Sequence, residues 1–152
     1  MDMQSAEYWM KEALLEAERA QGKGEVPVGA VLLCDGKIIG RGHNGSIHHH
    51  DPTAHAEILA LRQAALNMKN YRLPGSIMVV TIEPCAMCVG AMIQARVEEL
   101  IYGAVDPKAG AVDSHFHLAA ATQLNHRISV VSGVLAEPCR EIMQSFFAAR
   151  RK

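Results

Sequence analysis

His55-Ala56-Glu57 and, further along the chain, Pro84-Cys85-Ala86-Met87-Cys88 are the residues best equipped for chemistry in this sequence. One imidazole and two thiolates suit a zinc ion, and three protein ligands leave the fourth tetrahedral position open to water, as catalytic zinc sites require. Zinc lowers the pKa of such a water to about 7 and so supplies a nucleophile at neutral pH. Glu57, a carboxylate beside the ligand set, has the chemistry to carry protons to and from the reacting atoms. A C-x-x-C pair alone is also found in structural zinc sites and redox motifs, but a structural knuckle closes its shell with a fourth Cys or His. The spare candidates here, His48, His49 and His50, read as a polar surface loop ahead of Pro52. A purely structural site would also have no need of Glu57.

The elements that must position these residues are legible from periodicity and breakers. Ala6, Met10, Ala13, Leu14 and Ala17 recur at helical spacing, which predicts an amphipathic helix over 5–21 ended by Gly22-Lys23-Gly24. Two apolar runs, 26–33 and 37–42, flank Asp35-Gly36, a strong hairpin signal. A loop over 43–51 leads to a helix expected from Pro52 to about Leu66, with Asp51 as its cap and His55 in its first turn. Strands are expected over 76–82, 100–105 and 127–131, a helix over 86–94, and a loop over 106–117. Leu135, Cys139, Ile142, Met143, Phe146 and Phe147 mark a closing helix. This order predicts a layered α/β domain with helices on both faces of one sheet. His55 and the two cysteines then fall at helix N-termini, where free N–H groups and partial positive charge favour thiolate and hydroxide.

Bulk properties bound the rest. At 152 residues the chain is read as a single domain, 1–152, with 49% hydrophobic and 20% charged residues, ordinary for a globular protein. No apolar run approaches the roughly 18 residues of a membrane span. The first residues carry Asp2 and Glu7 where a secretory signal needs an apolar stretch. A cytoplasmic protein with no membrane association is therefore expected. That context assigns Cys85 and Cys88 to metal and leaves Cys34 and Cys139 as buried thiols. The net charge of −1 excludes a general nucleic-acid coat, although 127–152 holds five bases against two acids and ends in Arg150-Arg151-Lys152. That basic end has phosphates or mere helix-terminus charge as its possible uses.

The H-x-E…P-C-x-x-C pattern resembles the signature of zinc nucleobase deaminases. Glu25-Val26-Pro27-Val28-Gly29-Ala30-Val31, Asn44, His50-Asp51-Pro52-Thr53-Ala54-His55-Ala56-Glu57 and Glu83 to Met92 narrow this to bacterial tRNA-specific adenosine deaminases, which the chain closely resembles. The run Tyr102 to Ala111 and Asn125-His126-Arg127 add to it, so that the likeness extends from Glu7-Tyr8-Trp9-Met10 to Phe146-Phe147. It implies a three-layer α/β/α cytidine-deaminase-like fold with a central five-stranded mixed sheet, and one zinc per subunit held by His55, Cys85 and Cys88. It implies a homodimer that takes a tRNA anticodon stem-loop and converts the wobble adenosine of an arginine tRNA to inosine, with Glu57 as the proton carrier and no nucleotide cofactor. By the same resemblance Asn44 hydrogen-bonds the purine, the Ala56 backbone orients base or water, Val28 and Ile82 line the base pocket, and Asp106 contacts the ribose or backbone. Taken without it, Asn44 reads as a turn cap, Val28 and Ile82 as ordinary strand residues, and Asp106 as an Asx turn before Pro107. Two other functions are compatible with the motif: deamination of a free base or nucleoside such as guanine or cytosine, and a non-catalytic RNA-binding subunit that keeps zinc for stability.

Overall fold

A computed structural model of the chain describes residues 1–151; Lys152, the last of the basic residues noted above, lies outside the described residues. Asp2 opens the first helix, α1 (Met3–Gly22), by accepting a hydrogen bond from the Ser5 amide at 2.7 Å. The buried stripe of α1 is mostly alanine: Ala6, Ala13, Ala17 and Ala20 around Met10. Small residues let the helix lie close on the sheet. A Cβ at Gly29 would sit 2.0 Å from the Ala13 carbonyl oxygen, so the strand beneath has to carry glycine there.

That strand is β1 (Gly29–Cys34), which pairs with β2 (Lys37–His43) as an antiparallel hairpin. The turn residues Asp35 and Gly36 have φ of 51° and 72°, the primed-turn geometry that Asp-Gly favours. The apolar run from Val26 enters the ladder only at Gly29, because Pro27 has no N–H to give and Val28 turns back to hydrogen-bond the Val26 carbonyl at 2.8 Å. The chain continues through α2 (Ala56–Met68), β3 (Ile77–Ile82), α3 (Ala86–Ala95), β4 (Glu99–Ala104), β5 (Ser129–Val131) and α4 (Ala136–Arg150).

The sheet order is β2-β1-β3-β4-β5. β1 runs antiparallel to both neighbours, whereas β3, β4 and β5 are mutually parallel, so the sheet is mixed. Alternation along the strands divides the core into two layers. Ala30, Leu32, Met78, Val80, Leu100 and Tyr102 pack with α2 and α3 on one face. Val31, Leu33, Val79 and Ile101 pack with α1 and α4 on the other. The expected α/β/α layering is the observed one.

One boundary differs from its expectation in a way that matters for the site. The second helix begins at Ala56, not Pro52, and Asp51 does not cap it. The Asp51 carboxylate instead accepts the amide and hydroxyl of Thr53, at 2.8 and 2.7 Å, in a local turn. His55 stays extended (φ −76°, ψ 155°) and is itself the N-cap residue. No helix among the described residues is long and apolar enough to cross a membrane.

Candidate active site

The topology brings four loop connections to one end of the sheet. β1 starts where the antiparallel β2 and β3 end, and β4 ends beside β3. Val28 before β1, Asn44 after β2, Ile82 at the end of β3 and Asp106 after β4 therefore share one rim. The helices α2 and α3 start from that same end, capped by His55 and Cys85, both extended and neither making a side-chain cap bond. A residue in the N-cap position can turn its side chain off the helix face, and this is how His55 and Glu57, two residues apart, serve one site.

His55 Nδ1 lies 3.6 Å from Cys85 Sγ and 3.5 Å from Cys88 Sγ, and the three ligand atoms are within 4.8 Å of one another. A tetrahedral zinc with bonds of about 2.3 Å to sulfur and about 2.0 Å to nitrogen would space N and S by about 3.5 Å. The donor set fits the ion in type, number and spacing. Cys88 is fully buried, and Cys85 and His55 are half-buried towards the cavity.

The protonation pattern fits as well. A hydrogen bond from the Cys88 thiol, helped by His55, brings Cys85 down to about 4 against the opposing effect of burial. Cys88, which gives that bond and is buried beside the negative charges of Glu57 and Cys85, is held far above its ordinary value. The Cys85 thiolate in turn raises His55. The pair thus carries one thiolate and one remaining proton, which a divalent ion would displace. Burial pushes Glu57 up to about 7, with the Cys85 charge adding to the effect and its own backbone amide and His55 opposing it. At 4% exposure, Glu57 is a carboxyl poised to hold or release a proton near neutrality.

One cavity of about 670 Å³ opens onto these groups. Its lining includes His55, Glu57 and Cys85 and all five of the expected substrate contacts: Val28, Asn44, Ala56, Ile82 and Asp106. Asn44 is placed by its amide, which donates to the Val28 carbonyl at 3.1 Å, and its Oδ1 accepts a bond from the Ser46 hydroxyl at 3.3 Å. Ala56 borders the cavity although the whole residue is buried. Asp106 lines the cavity, and its Oδ1 accepts the Lys108 and Ala109 amides at 3.1 and 3.2 Å in the Asx-type turn that its position before Pro107 suggests. The histidine run is the surface loop expected, with His48 held by Glu25. His115 and His117 are exposed and stand outside the ligand group.

Sequence reasoning assigned no role to several wall residues. Met143 and Phe147, one turn apart on α4, line the cavity together with Arg140. Phe147, 41% exposed, was expected on the buried stripe of that helix. Two buried glutamates, Glu25 and Glu83, also border the cavity. The Glu25 carboxylate accepts the amides of Ile47 and His48, at 3.2 and 2.7 Å, and so ties the 46–51 loop to the base of β1. Both acids stand in motif words, Glu25-Val26-Pro27 and Glu83-Pro84-Cys85; an acidic residue within an apolar strand-end word was the available signal.

Comparison with known proteins agrees with this geometry. The cytidine and deoxycytidylate deaminase zinc-binding region matches residues 3–104. A tRNA-specific adenosine deaminase of Haemophilus influenzae is 50% identical over 147 residues, covering 96% of this chain and 85% of the relative. One from Bacillus subtilis is 44% identical over 150 residues, covering 99% and 93%. A solved structure from studies of A-to-I editing by tRNA:A34 deaminases at the wobble position of transfer RNA superposes with a TM-score of 0.86 at 43% identity. It covers 89% of this chain and 98% of its own.

Proposed function

The chain belongs to the tRNA-specific adenosine deaminases within the zinc-binding cytidine and deoxycytidylate deaminase family, and on that premise we propose that it hydrolyses the wobble adenosine of an arginine tRNA anticodon to inosine. The observation that carries the reading is the convergence of the His55, Cys85 and Cys88 ligand atoms with buried Glu57 at one cavity that also holds Asn44 and Asp106.

His55, Cys85 and Cys88 would hold the zinc, which when bound lowers the pKa of a water in its open position to about 7. The remaining work belongs to the chain. An anticodon loop is single-stranded, so the target base can leave the stack at little cost and enter the cavity. Val28 and Ile82 flank the purine, the Asn44 side chain hydrogen-bonds its edge, and the Ala56 backbone fixes its plane. Glu57 takes a proton from the attacking water, passes it to the ring nitrogen, and gives a second to the departing amine. Water and adenosine thus become inosine and ammonia. Asp106, with one oxygen committed to its own turn, has the other to meet the ribose 2′-hydroxyl or the adjacent backbone.

The protein is read as a cytoplasmic homodimer engaging an anticodon stem-loop. The family resemblance supports that reading, and exposed Leu66, Met68 and Tyr71 offer apolar surface for a subunit contact. The test is incubation of zinc-loaded protein with arginine tRNA bearing A34, reading inosine by sequencing, with free guanine and cytosine assayed beside it. Inosine confined to the wobble position is expected. Unmodified tRNA with ammonia released from a free base would overturn the substrate while leaving the zinc chemistry.

A further inference from the structure

We propose that Glu83 is a positioning residue for this reaction, whose carboxylate templates the 106–114 loop and thereby sets where Asp106 and its neighbours stand against the substrate. Glu83 directly precedes Pro84-Cys85 at the end of β3 and is 3% exposed. Its Oε1 accepts the Asp106 amide at 3.0 Å and the Ser114 hydroxyl. Its Oε2 accepts the amides of Val112, Asp113 and Ser114 at 3.1, 2.8 and 2.9 Å. Five donors meet a group with about four lone-pair sites, so the carboxylate is saturated. It has no capacity left for substrate or for proton transfer, and among the described residues it forms no ion pair with a base.

A buried anion held by four backbone amides and one hydroxyl is a nest turned inside out: the loop wraps the acid as other loops wrap a phosphate. Both ends of the loop are fixed this way, Asp106 through Oε1 and 112–114 mainly through Oε2. Between them the loop is stitched to the Pro84-Cys85 segment that links β3 to α3. Gly110 forms a β-bridge with Cys85, and the Ala111 amide donates to the Pro84 carbonyl at 2.8 Å. Gly110 is required for that approach, since a Cβ there would lie 2.4 Å from the Glu83 carboxylate. Asp106, Pro107, Lys108 and Ala109 all line the cavity. A loop without regular structure keeps such a wall in place only if its amides have partners, and Glu83 supplies four of them.

The chemistry predicts an asymmetric response to E83Q. The amide keeps one carbonyl oxygen, which can still serve the three amides of 112–114. Its NH2 group then faces the other pair, where the Ser114 hydroxyl can rotate to accept but the Asp106 N–H is left opposite a donor. The Asp106 end of the loop loosens while the 112–114 end holds. This inference rests on the tRNA reading only for its kinetic arm; the exchange arm does not depend on the substrate.

The experiment compares zinc-loaded wild type and E83Q by zinc content, amide hydrogen exchange, and KM and kcat on an A34 anticodon stem-loop. The expected result is full zinc and at least roughly tenfold faster exchange confined to the Asp106 segment. A KM raised roughly tenfold, the loss of one substrate hydrogen bond, should accompany a smaller change in kcat. S114A, which removes one donor and nothing else from the carboxylate, should shift KM in the same direction by a smaller factor and stands in if E83Q does not fold. Wild-type exchange over 106–114 in E83Q, or a lowered Tm with KM and loop exchange unchanged, would overturn the proposal, as would loss of zinc with an unaltered loop. Absence of inosine with the wild type would instead strike the substrate reading, leaving the exchange result to decide the role of Glu83.

Discussion

Gly42 lies on β2 beneath the start of α2, and its replacement by alanine tests how tightly the active-site helix is seated. An added Cβ would lie 2.4 Å from the Ala56 carbonyl oxygen, 2.8 Å from the Ala60 nitrogen and 3.0 Å from the Leu59 Cβ. Ordinary contact starts at 3.4 Å, so the closest pair is about 1 Å too near. Two of the three atoms are backbone and cannot swing aside; either the strand or the first turn of α2 must move. Overpacking of this kind costs about 1–3 kcal/mol. In a domain of this size each kcal/mol lowers Tm by roughly 2–4 °C, which gives a fall of roughly 2–12 °C.

The displacement falls on the wrong residues for the enzyme. Ala56 stands between His55 and Glu57, the proposed zinc ligand and proton carrier, and misplacement by 1 Å can cost about 10²-fold in rate. The assay is thermal unfolding of the zinc-loaded protein together with single-turnover deamination of an anticodon stem-loop. Gly22→Ala is the control: nothing lies within 4 Å of its Cβ, and alanine there is neutral or stabilises by up to about 1 kcal/mol. A Gly42→Ala protein with wild-type Tm and rate would refute the steric argument. A lowered Tm with an unchanged rate would refute the coupling between the seat of α2 and the chemistry.

Glu57→Ala should keep its fold and its zinc and lose at least about 10²–10⁴-fold in turnover, measured by metal analysis and inosine formation; activity near wild type would remove Glu57 from its role. Cys85→Ala or His55→Ala should lose metal and activity together, and a full zinc complement in either variant would count against the ligand set. Glu25 yields a pH prediction. Burial pushes its carboxyl up, but the His48 amide and imidazole and the Ile47 amide outweigh that and leave it below the ordinary 4.5. The stability such an acid contributes is complete above about 4.5 and is lost as pH falls through the lowered folded value. The Tm difference between wild type and Glu25→Gln should therefore be largest near neutrality and close on acidification below about 4.5; a gap that widens in acid would reverse the sign of the argument.

The layering was readable because it follows from periodicities that the side chains carry themselves. Ala6, Met10, Ala13 and Ala17 mark one helical face whatever they pack against, and Asp35-Gly36 favours the positive φ that a tight hairpin needs. The start of α2 was not readable, because Asp51-Pro52 is as good an opening for a helix as for a turn. Thr53 decides it by taking the Asp51 carboxylate with both its amide and its hydroxyl, a competition that leaves no trace in hydrophobic pattern. The consequence is functional: with the helix starting four residues later, His55 becomes a cap residue able to turn towards the cysteines.

The same distinction separates the parts of the site. The proposed zinc ligands and proton carrier are legible because the chemistry draws on a short list of side chains to which His, Cys and Glu belong. Glu25 and Glu83 act on backbone amides, and an amide has no residue type. Apart from the His48 imidazole, the donors at Ile47, His48, Val112 and Asp113 are amides that any residue but proline would supply. What the sequence does hold is the cost of the arrangement. An acid in an apolar strand-end word, followed within two residues by proline, must find donors or stay out of the core. The loops that follow β2 and β4 have unpaired amides to offer. A buried acid at the rim of a sheet and a long irregular loop beyond the adjacent strand therefore imply each other, and at this rim each such pairing sets the wall on which a proposed substrate contact, Asn44 or Asp106, is carried.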